Sequence, residues 1–243
     1  MKTLKKIGVI LLLALSGVTS SCSDDDDKNE TAYECLTCVD TPDALAVNDN
    51  SIKGVYKGIV VGSTGTISIN IQNGSSTITA TMVLDDDTIL LTSTVEVVEG
   101  QTYIAPFTGT YNGSPISITF SVGLSGANPT VVTSSIPGHP NAVFQVFKET
   151  STALIEAFEG TYTKTGETGV FNIVLSSALG GFSGISKDNQ TNETNDVDGD
   201  YNANGDLIDE NGTVLGTVTG DELDGNFIDG NGDQVVITGY RTL

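Results

Sequence analysis

The sequence predicts an all-β fold built mainly from antiparallel hairpins. Apolar and polar residues alternate along residues 66–71, 77–82 and 116–122, and a period of two is typical of strands with one buried face. Residue pairs that favour tight hairpin turns follow or separate such segments. They are Asn73-Gly74, Asn112-Gly113, Asn211-Gly212 and Asp229-Gly230. Together, these observations indicate a hairpin-rich meander.

A short motif, apolar-x-Gly-x-aromatic, recurs five times along the chain. The copies begin at Ile52, Phe107, Phe158, Val197 and Leu223. In a strand the apolar residue, the glycine and the aromatic residue share one face, because side chains alternate between faces. The glycine then leaves space for a neighbouring ring or a bend, which predicts sheets that curl toward closure. A role for the motif tyrosines in stacking against a ligand is the alternative.

The spacing of the copies suggests a duplication. The first unit starts at Ile52 and the second at Phe158. We expect residues 45–148 to form one β-module and residues 149–243 a second, acidic one, each a small β-barrel or a curled sandwich. Closure of this kind protects strand edges from aggregation. One larger β-sandwich or barrel that uses both halves is the alternative architecture.

The N-terminus, residues 1–21, has the three parts of a secretory signal peptide. Three lysines come first, an apolar run over residues 9–18 follows, and small residues occupy positions 19–21. The apolar run is too short to span a bilayer, which takes about 20 residues. The sequence therefore predicts an exported protein.

The residues around Cys22 resemble the signal of bacterial lipoproteins. Ser20, Ser21 and Cys22 match its small-small-Cys end, whereas Thr19 stands where leucine is usual. The acidic run at residues 23–27 is similar to the export signal of Bacteroidota lipoproteins. The resemblance implies that acyl chains such as palmitate on Cys22 anchor the protein in outer-membrane lipid, exposed at the cell surface. An ordinary secreted protein is the alternative.

Residues 22–44 are polar and lack periodicity, so we expect a flexible acidic tether. Cys35 and Cys38 lie within it as a Cys-x-x-Cys pair. A redox motif of this form would need a βαβ setting, and one pair cannot supply the four ligands of a structural zinc site. A local disulfide is the preferred interpretation, with free thiols or another metal role as alternatives.

The charge is strongly negative and unevenly placed. The formal charge of −21 becomes −24 without the three signal-peptide lysines, which argues against nucleic acid or anionic lipid as a partner. Thirteen acidic residues and no Lys or Arg lie between Asp188 and Asp233, against six acidic residues and three lysines between Leu45 and Lys148. Such an asymmetry is typical of a cation site or of a solvated face.

One segment of the acidic region fits the start of a calcium loop of the D-x-[DN]-x-[DN]-G type. The candidate ligands are Asp200, Asn202, Asn204 and Asp206. The fit ends at Asn211, which occupies the position where an acidic residue should close the coordination shell. Calcium is the one cofactor that the sequence suggests, and plain hairpin turns are the alternative.

No motif indicates catalysis. His139 is the one histidine, and it lies in a Pro-Gly-His-Pro turn. We therefore expect a non-enzymatic surface protein that binds an extracellular protein or a glycan, although the chain has no tryptophan to stack on a sugar ring. A carbohydrate hydrolase that uses two carboxylates and a structural protein of the envelope are the alternatives.

Overall fold

Antiparallel strands account for nearly all of the regular structure in the computed structural model, which describes residues 32–61 and 65–243. Two single turns of 3₁₀ helix, Ala46–Asn48 and Leu124–Gly126, complete it. Within those residues no helix is long and apolar enough to cross a membrane. Ala32–Leu243 form one compact unit.

Eight strands in the first half form one curled sheet in the order β7-β6-β5-β4-β3-β2-β1-β8. The strands are β1 (Gly54–Val61), β2 (Gly65–Ile71), β3 (Ile78–Leu84), β4 (Asp87–Thr92), β5 (Tyr103–Tyr111), β6 (Ser114–Val122), β7 (Thr130–Ser135) and β8 (Val143–Lys148). The two edge strands, β7 and β8, lie close together. The sheet thus encloses a core in which the Phe120 ring packs against Tyr56 and Phe107, with centroids 5.3 and 6.4 Å away.

Eight further strands form a closed antiparallel barrel. They are β9 (Ile155–Lys164), β10 (Glu167–Ser176), β11 (Gly181–Asp188), β12 (Thr194–Tyr201), β13 (Asp206–Ile208), β14 (Val214–Thr219), β15 (Glu222–Ile228) and β16 (Gln234–Arg241). Each strand pairs with the next one in the chain, and β16 returns to pair with β9. The first sheet follows the same scheme, since β8 returns to β1.

The predicted fold class is confirmed. The chain is all-β, and its meander forms two small eight-stranded units rather than one large sandwich or barrel. The last strand of the first unit ends at Lys148 and the first strand of the second begins at Ile155. We refer to these units as the first and second barrels.

The barrels pack against each other through β1, which is buried along its whole length. Its inward residues belong to the core of the first barrel, and its outward residues Ile59 and Val61 join Ile155, Ala157 and Val174 in a separate apolar cluster. Burial of about 25 cal/mol per Å² of apolar surface favours this contact. A strand buried on both faces therefore connects the two units.

A buried ion pair lies beside this cluster. The Lys57 ammonium is 2.8 Å from the Glu149 carboxylate, and their side chains are 3% and 0% exposed. Glu149 also accepts hydrogen bonds from the backbone N–H groups of Asp43, Ala44 and Ile155, at 2.7, 3.2 and 3.3 Å. One carboxylate therefore connects β1, the start of β9 and the segment that precedes the first barrel.

The prediction of a flexible tether is wrong for the part of residues 22–44 that the structure describes. The Arg241 guanidinium donates to the Val39 carbonyl at 2.6 Å, and the ring of Tyr33 packs on that of Tyr240 with centroids 4.9 Å apart. The partners of this segment are distant in sequence, so its polar composition gave no sign of them. The predicted signal peptide, Cys22 and residues 22–31 lie outside the described residues.

Replacing Lys57 with methionine should lower the free energy of unfolding by about 3–5 kcal/mol, because the buried Glu149 carboxylate would lose its cation. Urea unfolding followed by circular dichroism measures the change. Lys53→Met is the matched control, since the Lys53 side chain is exposed and surface substitutions usually change stability by less than about 0.5 kcal/mol. Equal losses in the two variants would contradict a stabilising role for the pair.

Candidate functional site

The second barrel contains a cavity of about 210 Å³. Eight-stranded barrels have an interior just wide enough to be filled by side chains or to hold one small ligand. Here the wall is mainly apolar and includes Phe171, Phe182, Leu207, Leu223, Phe227 and Ile237. The cavity is thus an apolar chamber within a barrel of ordinary size.

The two barrels differ in how their interiors are filled. Among the residues that the structure describes, the core cluster of the first barrel contains 22 buried apolar residues, whereas that of the second contains seven. The strands are equal in number, so the difference lies in the inward side chains. The second barrel has the room to accept a ligand.

Inward-facing glycines lie in the wall of the second barrel. Gly160 lies between Phe158, a core residue, and Tyr162, which lines the cavity. A Cβ on Gly160 would lie 2.6 Å from the Phe171 ring, and one on Gly239 would lie 2.9 Å from it. The ring therefore covers both glycines, as the repeated motif predicted for Gly160.

A charged rim, formed by Tyr162, Lys164, Glu167 and Asp229, borders the cavity. The Lys164 ammonium is 2.8 Å from Glu167 and 3.8 Å from Asp229, and the Tyr162 hydroxyl donates to Glu167 at 2.7 Å. The hydrogen bond to Glu167 raises the pKa of Lys164. Burial and the same carboxylate raise the pKa of Tyr162, so at neutral pH the lysine is charged and the tyrosine is neutral.

Hairpin turns at this end of the barrel begin with aspartates that bond to their own backbone. Asp209 accepts from the N–H groups of Asn211 and Thr213 at 2.9 and 2.7 Å. Asp229 accepts from those of Asn231 and Asp233, both at 2.9 Å. These backbone hydrogen bonds lower the pKa of both aspartates. Part of the acidic region therefore stabilises turns next to the cavity.

The predicted calcium ligands form such a turn at the opposite end of the barrel. Asn202 accepts from the N–H groups of Asn204 and Asp206 at 2.8 and 3.1 Å, and its side-chain N–H donates to Asp206 at 3.0 Å. Thr217 donates to the other oxygen of Asp206 at 2.9 Å, and Asp200 lies in β12 opposite Ile208. No three His, Cys, Asp or Glu side chains of residues 32–61 and 65–243 are grouped to hold a metal. This geometry matches the hairpin-turn alternative and offers no support for calcium.

Cys35 and Cys38 are joined by a disulfide, with their Cα atoms 5.4 Å apart. The Cys35 N–H donates to the Asp221 carboxylate at 2.8 Å, so the bridged loop rests on the second barrel between β14 and β15. The disulfide thus belongs to the segment that is fixed to this barrel.

A second depression, of about 390 Å³, lies at the opposite end of the barrel from the charged rim. Eight residues line it, four of them serine or glycine, against sixteen for the cavity. Burial raises the pKa of its Glu156 carboxylate, and the nearby Arg241 guanidinium opposes that rise. The lining of the cavity is the more apolar of the two, so the cavity is the better site for an apolar molecule.

Of the rim residues, the sequence motif singled out Tyr162 and did not identify Lys164, Glu167 or Asp229. Once β9 is known as a strand, alternation from Phe158 places Tyr162 and Lys164 on the inner face, and this is the signal that could have found them. The apolar wall can enclose a small apolar body, and the rim can attract or hydrogen bond with a polar end. Comparisons of the chain with protein-family models, curated proteins and solved structures found no match.

The turn aspartates should make stability sensitive to acid. An aspartate whose folded pKa is lowered below its unfolded value of about 3.9 stabilises the fold above that pH, and the contribution is lost as pH falls through the folded pKa. We expect Asp209→Asn to lose less unfolding free energy than the parent between pH 5 and pH 3, measured by urea titration. Asparagine keeps the acceptor oxygen. The control is Glu210→Gln, which removes a carboxylate from the same turn. If Asp209→Asn lost as much unfolding free energy as the parent, Asp209 would not be a source of the acid sensitivity.

Proposed function

We propose that this protein is a non-enzymatic, lipid-anchored binding protein of the bacterial cell surface, and that its second barrel binds a small apolar molecule. The observation that carries the proposal is the contrast between the barrels. Strands of the same number and topology enclose a filled core in the first barrel and a cavity of about 210 Å³ in the second. A closed barrel with an open interior suits reversible binding of a ligand.

The volume of the cavity limits the size of the ligand. An apolar cavity of about 150 Å³ stays dry and binds benzene, which has six non-hydrogen atoms. On that scale a cavity of 210 Å³ holds about eight non-hydrogen atoms. A single aromatic ring with a short substituent fits this space, and its faces would pack against Phe171, Phe182 and Phe227.

The proposed location depends on the N-terminal residues. Acylation of Cys22 with two or more chains would anchor the protein stably, because each buried CH₂ contributes about 0.8 kcal/mol and one chain alone gives only marginal binding. The acidic run that follows supports exposure at the cell surface, by its resemblance to the lipoprotein export signal.

The geometry supports binding better than glycoside hydrolysis at this site. A hydrolase needs a protonated carboxyl group beside an ionised one. Of the two rim carboxylates, Asp229 has its pKa lowered by the backbone N–H groups of its own turn, and Glu167 is hydrogen bonded to Tyr162 and Lys164. The rim therefore suits recognition of charge.

A second candidate function, binding of a neutral glycan or a partner protein, is supported by the first barrel. Residues 101–147 contain no Asp, Glu, Lys or Arg, and they include β5, β6, β7 and all of β8 except its last residue, Lys148. Hydroxyl groups cover the outer face of this region, where Thr133 donates to Thr119 at 2.9 Å. Such a surface can hydrogen bond with an uncharged partner without repelling it.

Filling the cavity should abolish binding of a small apolar probe. Val235 lines the cavity and is 6% exposed, whereas its neighbour Val236 is 41% exposed on the outer face. We expect ethylbenzene to raise the melting temperature of the parent protein and of Val236→Phe, since a ligand that binds only the folded state stabilises it. Val235→Phe should reduce the affinity at least about tenfold, or about 1.4 kcal/mol. Equal responses in both variants would place the probe elsewhere.

The anchoring proposal is tested on cells. We expect the parent protein to remain in the membrane fraction and to be removed by protease added to intact cells, while Cys22→Ala is recovered in the soluble fraction because it lacks the acyl chains. Cys35→Ala is the matched control, because it removes a cysteine without changing the anchor. Protection from protease until the outer membrane is opened would refute surface exposure.

A further inference from the structure

The rim of the cavity already holds a positively charged nitrogen between two carboxylates. The Lys164 ammonium lies 2.8 Å from Glu167 and 3.8 Å from Asp229. All three side chains line the cavity, and they are only 18 to 28% exposed. Interactions between charges are stronger at such half-buried positions than in open solvent. The protein's own lysine thus shows which kind of charge this rim accommodates.

The carboxylates around this lysine outnumber it. Asp229 and Asp233 both lie close enough to act on the charge of Lys164, and Asp188 and Glu167 both act on the neighbouring Tyr162 hydroxyl. Lys187 follows Ser186, which lines the cavity, so alternation directs the Lys187 side chain to the outer face. The rim therefore combines the two carboxylates of Glu167 and Asp229 with one ammonium, and Asp188 and Asp233 add negative charge nearby. A net negative charge beside apolar walls concentrates the field on an entering cation.

We propose that the second barrel selects small apolar molecules that carry a positive charge at one end. The apolar body packs among Phe171, Phe182 and Phe227, and the cationic group lies at the rim beside Glu167 and Asp229. This inference rests on the proposed function of the cavity and names the class of its ligand. Anions are disfavoured, because the single rim lysine is already paired with Glu167.

The rim offers a substitution that removes charge and leaves the turn intact. One oxygen of Asp229 accepts the two backbone N–H groups of its turn, and the other faces Lys164. Asn202 begins a turn of the same form and accepts the equivalent pair of N–H groups with its amide oxygen. Asp229→Asn should therefore keep the fold of the turn while it removes the negative charge.

Three probes of one shape test the inference on the full chain. Benzylamine is a cation at neutral pH, benzyl alcohol is neutral and benzoate is an anion, and each places one polar group on one aromatic ring. Isothermal titration calorimetry at low ionic strength should show the order benzylamine, benzyl alcohol, benzoate, from tightest to weakest. The preference for the amine should shrink as salt is added, because salt screens the rim charges.

Substitutions at the rim then test whether its carboxylates cause the preference for the amine. We expect Asp229→Asn and Glu167→Gln each to weaken the binding of benzylamine about fivefold more than the binding of benzyl alcohol, a difference of the size measured for exposed ion pairs. Lys164→Met should strengthen the binding of benzylamine, because it removes the ammonium that competes for the rim carboxylates. Far-ultraviolet circular dichroism and the melting temperature of each variant show whether it is folded.

The outcomes separate this inference from the function on which it rests. Equal binding of the three probes, or tightest binding of benzoate, would overturn the selection for cations and leave binding of apolar molecules standing. An amine preference that survives both carboxylate substitutions would also overturn it. No binding of any probe would overturn both proposals.

Discussion

The buried carboxylate of Glu149 is the constraint on which the arrangement of the chain depends. Taking a charge out of water costs several kcal/mol unless a cation and hydrogen-bond donors surround it. Lys57 supplies the cation, and Asp43, Ala44 and Ile155 supply backbone N–H groups. Because these partners come from three parts of the chain, one side chain fixes the leading segment and both barrels together.

This constraint assigns different roles to the two barrels. The outer face of β1 is covered by the second barrel and its inner face by the first barrel's core, so β1 cannot move without disturbing both. The densely filled first barrel supports the second along this contact. The second barrel can therefore keep an open interior, since part of its stability comes from its outer surface and from Arg241, which bonds to Val39.

Sequence periodicity predicted much of the fold and little of the site. The alternation of apolar and polar residues predicted the strands and their buried faces. The repeated glycine motif predicted two curled units in which aromatic rings cover glycines. Periodicity could not show that Lys57 is buried, because an outward position becomes interior only when another barrel covers it. It could not show that residues 33–44 are fixed, because their partners Glu149 and Arg241 are distant in sequence. The acidic Asp200–Asp206 pattern was ambiguous for a related reason, since the same oxygens that bind calcium also accept backbone N–H groups in a turn.

The inward glycines and the turn aspartates together explain how a site can exist in so small a barrel. A ring that covers two glycines, as Phe171 covers Gly160 and Gly239, fills the wall and leaves the centre free. Asp229 then uses one oxygen to hold the adjoining turn and presents the other to the rim. Asn202 shows that an amide oxygen can accept the same pair of N–H groups. The charge of the rim can thus change by single substitutions without loss of the turn, so selectivity of the barrel is separable from its stability.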